Sequence, residues 1–233
     1  MSRYESHSTA VTVQFWAEEF SVSPDVSYRR NLPHIHPEGH AFFITFSLLH
    51  AIPYDVLEWL KKERENELRQ ADVTQRYSIQ KKHFGKYDEW LDRCENSPRW
   101  LEEPEIAAIV AHEIERMNGE RYALIAYCIM PNHVHLLVER LLAVDAHHHG
   151  QSAKYPLTDT LRLLKGRTAR ACNLALKREG QFWQHESYDH FVRNDNELGR
   201  IIAYILNNPV KAGLVKEWSE WKFSYISPEW GKW

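Results

Sequence analysis

His133 and His135 flank a single valine at the head of an apolar run, in the stretch MPNHVHLLVE from Met130 to Glu139. If that run is a strand, side chains at i and i+2 project from the same face, so both imidazoles stand together on one side of a sheet. Two same-face imidazoles on a rigid element can act as cis ligands to a divalent ion, leaving positions for a third protein ligand and for substrate oxygens. A lone His-x-His pattern is weak by itself, because hydrogen-bonded or surface histidines are commoner. Its place directly after Pro131-Asn132 raises its weight. A metal so placed would suit a phosphodiester substrate, polarising a phosphoryl oxygen while a side-chain oxygen attacks phosphorus in line. No glycine-rich phosphate loop, Gly-x-Ser-x-Gly elbow or His-Glu-x-x-His helix occurs, so nucleotide-binding, serine-hydrolase and zinc-protease readings have no support. The nucleophile is to be sought among hydroxyl side chains of the second half.

The elements that must position this pair are legible in outline. AFFITFSLL, Ala41 to Leu49, is aromatic and β-branched and predicts a strand. Pro53 suits a helix entry for YDVLEWLKKERENELRQ, and the polar segment 72–96 is ambiguous, with KYDEWLDRC a further helical stretch. Ser97-Pro98 predicts another helix entry, with Pro104 splitting the helical run after it and Asn118-Gly119 closing that run. Arg121 to Met130 reads as a second strand and HVHLLVE as a third, antiparallel to it. LTDTLRLLKGRTARACNLALKR has helical apolar spacing and carries Lys165, Arg167 and Arg170. A short fourth strand is expected near Tyr188 to Val192. Asn194 with Glu197 resembles a capping box before a last helix, which Pro209 should end.

That order predicts an α+β, ferredoxin-like antiparallel sheet with helices packed on one face, plus an N-terminal arm and an aromatic C-terminal tail. The expected bounds are an arm over 1–38, a catalytic domain over 39–225 with a polar helical insertion at about 72–96, and a tail over 226–233. The 233 residues suffice for one large domain. Three cysteines, Cys94, Cys128 and Cys172, form neither a disulfide framework nor a cysteine zinc pattern. The formal net charge of −3 gives no global basic signature, so nucleic-acid binding would come from a local patch. No run is apolar for the roughly 18 residues a membrane span needs, and the polar start lacks a secretory pattern, so the expectation is a cytoplasmic protein without membrane contact.

Four ordered motifs carry a resemblance. MPNHVHLLVE, the basic LKGRTAR, FWQHESYDHFVRNDNEL and YILNNPVKAGLV, with the opening NLPHIHPEGHAFFITFSL, resemble the REP-associated tyrosine transposases over about Asn31 to Tyr225. The resemblance implies a ferredoxin-like catalytic domain and a divalent metal, Mg2+ or Mn2+, held by His133 and His135. It also implies a tyrosine that forms a 5′-phosphotyrosine link with single-stranded DNA at hairpin-forming palindromes. It ranks Tyr188, in SYDHFVR, ahead of Tyr204, in YILNNP, as the nucleophile. Glu186, Asp189, His190 and Asn194 stand as candidates for the third ligand. Lys165, Arg167, Arg170 and Arg193 are the expected phosphate contacts. A monomer is expected. The alternatives are an inactive DNA- or RNA-hairpin-binding protein and a metal phosphodiesterase that uses water.

Overall fold

The computed structural model describes residues 27–30, 32–35, 41–93, 97–140 and 156–231, with side chains over 41–93, 97–139 and 157–231. The His147–His149 loop, Cys94 and most of the 1–38 arm lie outside the described residues. Contacts divide the chain into two units, one containing Ile52–Asn96 and the other containing Asp25–Ala51 with Ser97–Trp233.

The larger unit is built on strands β3 (Ala41–Ser47), β4 (Tyr122–Ile129), β5 (His133–Arg140), β6 (Tyr188–Phe191) and β7 (Ser224–Ile226), which form one sheet in the order β6-β3-β5-β4-β7. Every neighbouring pair is antiparallel. A helix α3 (Pro104–Met117) joins β3 to β4 in sequence, and α4 (Pro156–Ala175) joins β5 to β6, so β3-α3-β4-β5-α4-β6 is the expected ferredoxin-like unit, with β7 added at one edge. A separate two-stranded ribbon pairs β1 (Ser27–Arg30) with β2 (Leu32–Ile35). It falls within the expected N-terminal arm.

The central strands are almost wholly buried, because both faces of the sheet are covered. Ile44, Phe46, Val134 and Leu136 are fully enclosed on strands whose alternate residues, such as Phe43 and Leu137, are enclosed too. The crossover helices cover one face: Tyr127 of β4 donates its hydroxyl to Glu115 of α3 at 2.7 Å. On the same face Phe46 of β3 meets the Trp183 ring, whose Nε1 donates to Thr168 of α4 at 2.9 Å. Outside that unit, α5 (Asp195–Lys211) lies on the opposite face, with Tyr204 edge-on to Phe43 at 5.9 Å between centroids.

Local chemistry sets the ends of these elements. Pro104 takes the first helical position of α3, where its missing N–H costs nothing, and the preceding Ser97-Pro98 entry yields only a 3-10 turn over Trp100–Glu102. Asn194 caps α5 by accepting from the Glu197 N–H at 2.9 Å. Glu197 does not complete the reciprocal box. Its carboxylate accepts instead from the Arg193 N–H at 2.9 Å and faces His190 Nε2 at 3.0 Å, tying β6 to the next helix. Pro209 sits inside α5 rather than ending it, and the helix runs on to Lys211. A proline so near a helix end removes one backbone bond without breaking the remaining turn.

The smaller unit is a helical hairpin of α1 (Tyr54–Gln70) and α2 (Arg76–Arg93). Asp72 makes its turn, its Oδ1 accepting from the N–H groups of Thr74 at 2.8 Å and Gln75 at 3.0 Å. The ambiguous segment 72–96 is therefore largely the second arm of a pair whose first arm is α1. Among the described residues no helix is long and apolar enough to cross a membrane.

Candidate metal and nucleophile site

The register across the sheet brings the chemistry together. Tyr188, Thr45 and His135 are successive direct partners across β6, β3 and β5, and Ser47 is the partner of His133, so all five side chains share one face. The connection before β5 is tight: the Met130 N–H donates to the His133 carbonyl at 2.8 Å around Pro131 and Asn132. This turn fixes where β5 starts and thereby which face its histidines take.

The two imidazoles point at each other. Their Nε2 atoms are 3.0 Å apart and both residues are buried. The other nitrogen of each ring is held by a side-chain oxygen, His133 Nδ1 by Asn132 Oδ1 at 2.6 Å and His135 Nδ1 by Thr45 Oγ1 at 2.8 Å. With the Asn132 amide oxygen on His133 Nδ1, that nitrogen carries the proton and Nε2 presents a lone pair. Asn132 is oriented in turn by donating Nδ2 to Ser97 Oγ at 3.0 Å.

From α5, Asn208 places its Nδ2 3.0 Å from His135 Nε2, while its buried Oδ1 has no hydrogen-bond partner. The two ends of a carboxamide are interchangeable by a flip, so either can face the imidazole pair. One helical turn earlier on the same helix, the half-buried Tyr204 stands edge-on to His135, with ring centroids 5.5 Å apart. Lys211 brings its Nζ within 5.8 Å of the Tyr204 ring centre.

These residues fit a divalent ion. Two nitrogens each about 2.1 Å from a metal and at right angles to it are about 3.0 Å apart, which is the spacing found here. Burial, followed by the charge of Lys211, pushes His133 down to about 3, and burial holds His135 well below the ordinary imidazole value. Both rings are therefore neutral near pH 7, the form that ligates. A flip of the Asn208 amide would turn its oxygen, now without a hydrogen-bond partner, toward the pair as a third donor from a second element. His133 and His135 belong to a candidate metal group, and Asn208, which the sequence reading did not single out, lies against it. The signal was its i+4 relation to Tyr204 on an amphipathic helix.

The remaining expected residues occupy other positions. Tyr188 is on the same face, two strands from His135. Asp189 is the direct partner of Ile44, one position along from Tyr188, and so faces the other side of the sheet. His190 is engaged with Glu197, and Asn194 caps α5. Glu186 lies 3.8 Å from His185 in the loop before β6. Lys165 Nζ donates to the carbonyls of Gln184 and His185 at 2.6 and 3.1 Å and to Ser187 Oγ at 3.0 Å, pinning that loop. Burial lowers Lys165 from 10.5 to about 8. Arg167 is paired with Glu113 at 3.2 Å, and Arg170 is exposed on α4. Arg193 lies between β6 and α5 with its backbone N–H on Glu197.

No family model matches the chain. Two curated relatives are named REP-associated tyrosine transposases. The one from Haemophilus influenzae is 32% identical over 103 residues, covering 44% of this chain and 58% of the relative. The one from Escherichia coli K12 is 26% identical over 117 residues, covering 50% and 62%. The chain thus matches about three-fifths of the length of these relatives. A solved structure, "Structure of the REP associates tyrosine transposase bound to a REP hairpin", shares the fold with a TM-score of 0.50 and 20% identity, over 86% of this chain and 82% of that one.

Proposed function

We propose that this chain is a metal-dependent tyrosine transposase that cleaves and rejoins single-stranded DNA at hairpin-forming, REP-like sites. In this reading Tyr204 is the attacking residue, and His133, His135 and Asn208 hold Mg2+ or Mn2+. One observation carries it: Tyr204 and Asn208, a helical turn apart on α5, both meet His135. A nucleophile and a third donor on one helix, facing two histidines on one strand, are positioned by two rigid elements rather than by loops. The sequence ranks Tyr188 ahead of Tyr204. Two strand spacings, about 10 Å, separate the Tyr188 backbone from that of His135, whereas the Tyr204 ring touches it, and the geometry therefore favours Tyr204.

When bound, the ion would polarise a phosphoryl oxygen and stabilise the negative charge that develops at phosphorus. The protein's own groups do the rest. Tyr204 Oη loses its proton and forms a bond to phosphorus as the bond to the 3′ oxygen breaks, and that oxygen takes up a proton to leave a free 3′ hydroxyl. The reverse attack by a 3′ hydroxyl rejoins the strand and frees the phenol. Phenol ionises near pH 10, so attack calls for a cation that favours the phenolate; Lys211, whose Nζ is 5.8 Å from the centre of the Tyr204 ring, is the candidate of this reading. Arg170 and Arg193 are the phosphate contacts of this reading. Lys165 and Arg167 are committed to partners within the fold.

The names of the curated relatives support the reaction class, and the hairpin in the solved relative's title supports the substrate class. The test is a hairpin oligonucleotide labelled separately at each end. A 5′-phosphotyrosine link predicts that the 3′ label becomes attached to protein while the 5′ label leaves with a free 3′ hydroxyl. Cleavage with neither label on the protein would instead indicate a phosphodiesterase using water, and binding without cleavage an inactive hairpin-binding protein.

A further inference from the structure

The helical hairpin carries a second cluster of ligating side chains that the proposed reaction does not use. Glu63 and Glu67 are one turn apart on α1 and so share a face. His83, on α2, is only 5% exposed and aims both ring nitrogens at them, Nδ1 3.8 Å from Glu63 Oε2 and Nε2 3.5 Å from Glu67 Oε1. Neither nitrogen makes a hydrogen bond. A buried imidazole with both nitrogens unsatisfied is a costly arrangement unless something engages one of them.

One ligand atom from each of the three residues lies within 4.8 Å of the other two. Four ligands arranged tetrahedrally about 2.1 Å from a zinc ion are about 3.4 Å apart, so small rotamer shifts would close the triangle. One nitrogen and two carboxylate oxygens suit a borderline cation better than a soft one, and three protein ligands leave a fourth position for water. We propose that Glu63, Glu67 and His83 form a binding site for a divalent cation of the zinc class, clamping α1 to α2. Lys82 and Lys86 hold the same carboxylates, at 2.8 Å from Glu67 and 2.6 Å from Glu63, so the ion competes with two ammonium groups.

The experiment uses the full chain, stripped with chelator and titrated with Zn2+ against a chromogenic competitor. Hydrogen exchange is followed in peptides from 54–93. The wild type should bind one equivalent more than His83→Gln, and Zn2+ should slow exchange in 54–93 of the wild type only. Glu63→Gln/Glu67→Gln, altered at half-exposed positions, should lose the same equivalent, which keeps the test decisive if His83→Gln folds poorly. Lys82→Met/Lys86→Met should bind Zn2+ several-fold more tightly. Equal stoichiometry in wild type and both ligand variants, with Zn2+ held only by histidines elsewhere, would overturn the proposal. So would Zn2+ binding without protection of 54–93.

Discussion

The ring of Tyr204 stands edge-on to that of His135 at 5.5 Å between centroids, and Asn208, one turn further along the same helix, reaches the Nε2 of that histidine at 3.0 Å. This places a phenol and a carboxamide from α5 against a histidine pair from β5. Each member of that joint placement is open to separate measurement.

Asn208→Ala should weaken Mn2+ binding while leaving the fold intact, because it removes one donor and leaves the two imidazoles. A loss of about 10- to 100-fold in affinity is expected, the range in which support around a metal site usually acts. Asn208→Asp should restore or exceed the original affinity, since a carboxylate offers the same reach with a charge. Manganese titration followed by electron paramagnetic resonance measures both. Unchanged affinity in Asn208→Ala would remove Asn208 from the site.

Thr45→Val should act through His135 without touching the metal. It deletes the hydroxyl 2.8 Å from Nδ1 and keeps the side-chain shape, so the ring loses its orienting partner. The expected outcome is again about a tenfold or greater loss of Mn2+ affinity, with near-wild-type circular dichroism.

Lys165 gives the pH dependence. Its folded value, about 8, lies below its ordinary 10.5, so between these values the unfolded chain holds the proton that the folded chain has released. Stability contributed at this position therefore rises as pH increases from about 8 to about 10.5 and is flat below. The stability of the wild type relative to Lys165→Met should climb through that window in urea denaturation. A flat difference would show that the carbonyl and hydroxyl partners keep Lys165 charged at its ordinary value.

Asn194→Ala should cost about 1 kcal/mol in the same experiment, as the loss of a helix N-cap does. Part of the effect should appear as faster exchange of the first-turn amides of α5, beginning at Glu197, whose N–H the cap accepts.

The central strands were legible because they are unbroken apolar runs, whereas β7, a three-residue strand in the aromatic C-terminal segment, was not read as one. Ala41 to Leu49 and HVHLLVE are buried on both faces and leave no helical alternative, and Pro131-Asn132 marks the turn between β4 and β5. The Asn194 cap and the short strand at Tyr188 were also readable from local patterns. The hairpin α1–α2 was half legible, since its second arm is polar and its buried residues, His83 and Asp88 among them, do not look like core. Choosing between Tyr188 and Tyr204 needs the register of β6 on β3 and the rotation of α5 over the opposite face, both of which are tertiary facts. Pro209 was expected to end the last helix, and Asn208, just before it, is instead a buried residue within α5. Lys165 shows another tertiary fact that the sequence does not carry, the hydrogen bonds by which its Nζ pins the loop before β6.

The most direct measurement is covalent capture on a denaturing gel. A hairpin-forming single-stranded oligonucleotide is incubated with Mn2+ and wild type, Tyr204→Phe or Tyr188→Phe. With Tyr204 as nucleophile, a protein–DNA adduct forms with wild type and Tyr188→Phe, and none forms with Tyr204→Phe that is still folded and still binds Mn2+. An adduct that survives in Tyr204→Phe and vanishes in Tyr188→Phe would contradict that assignment.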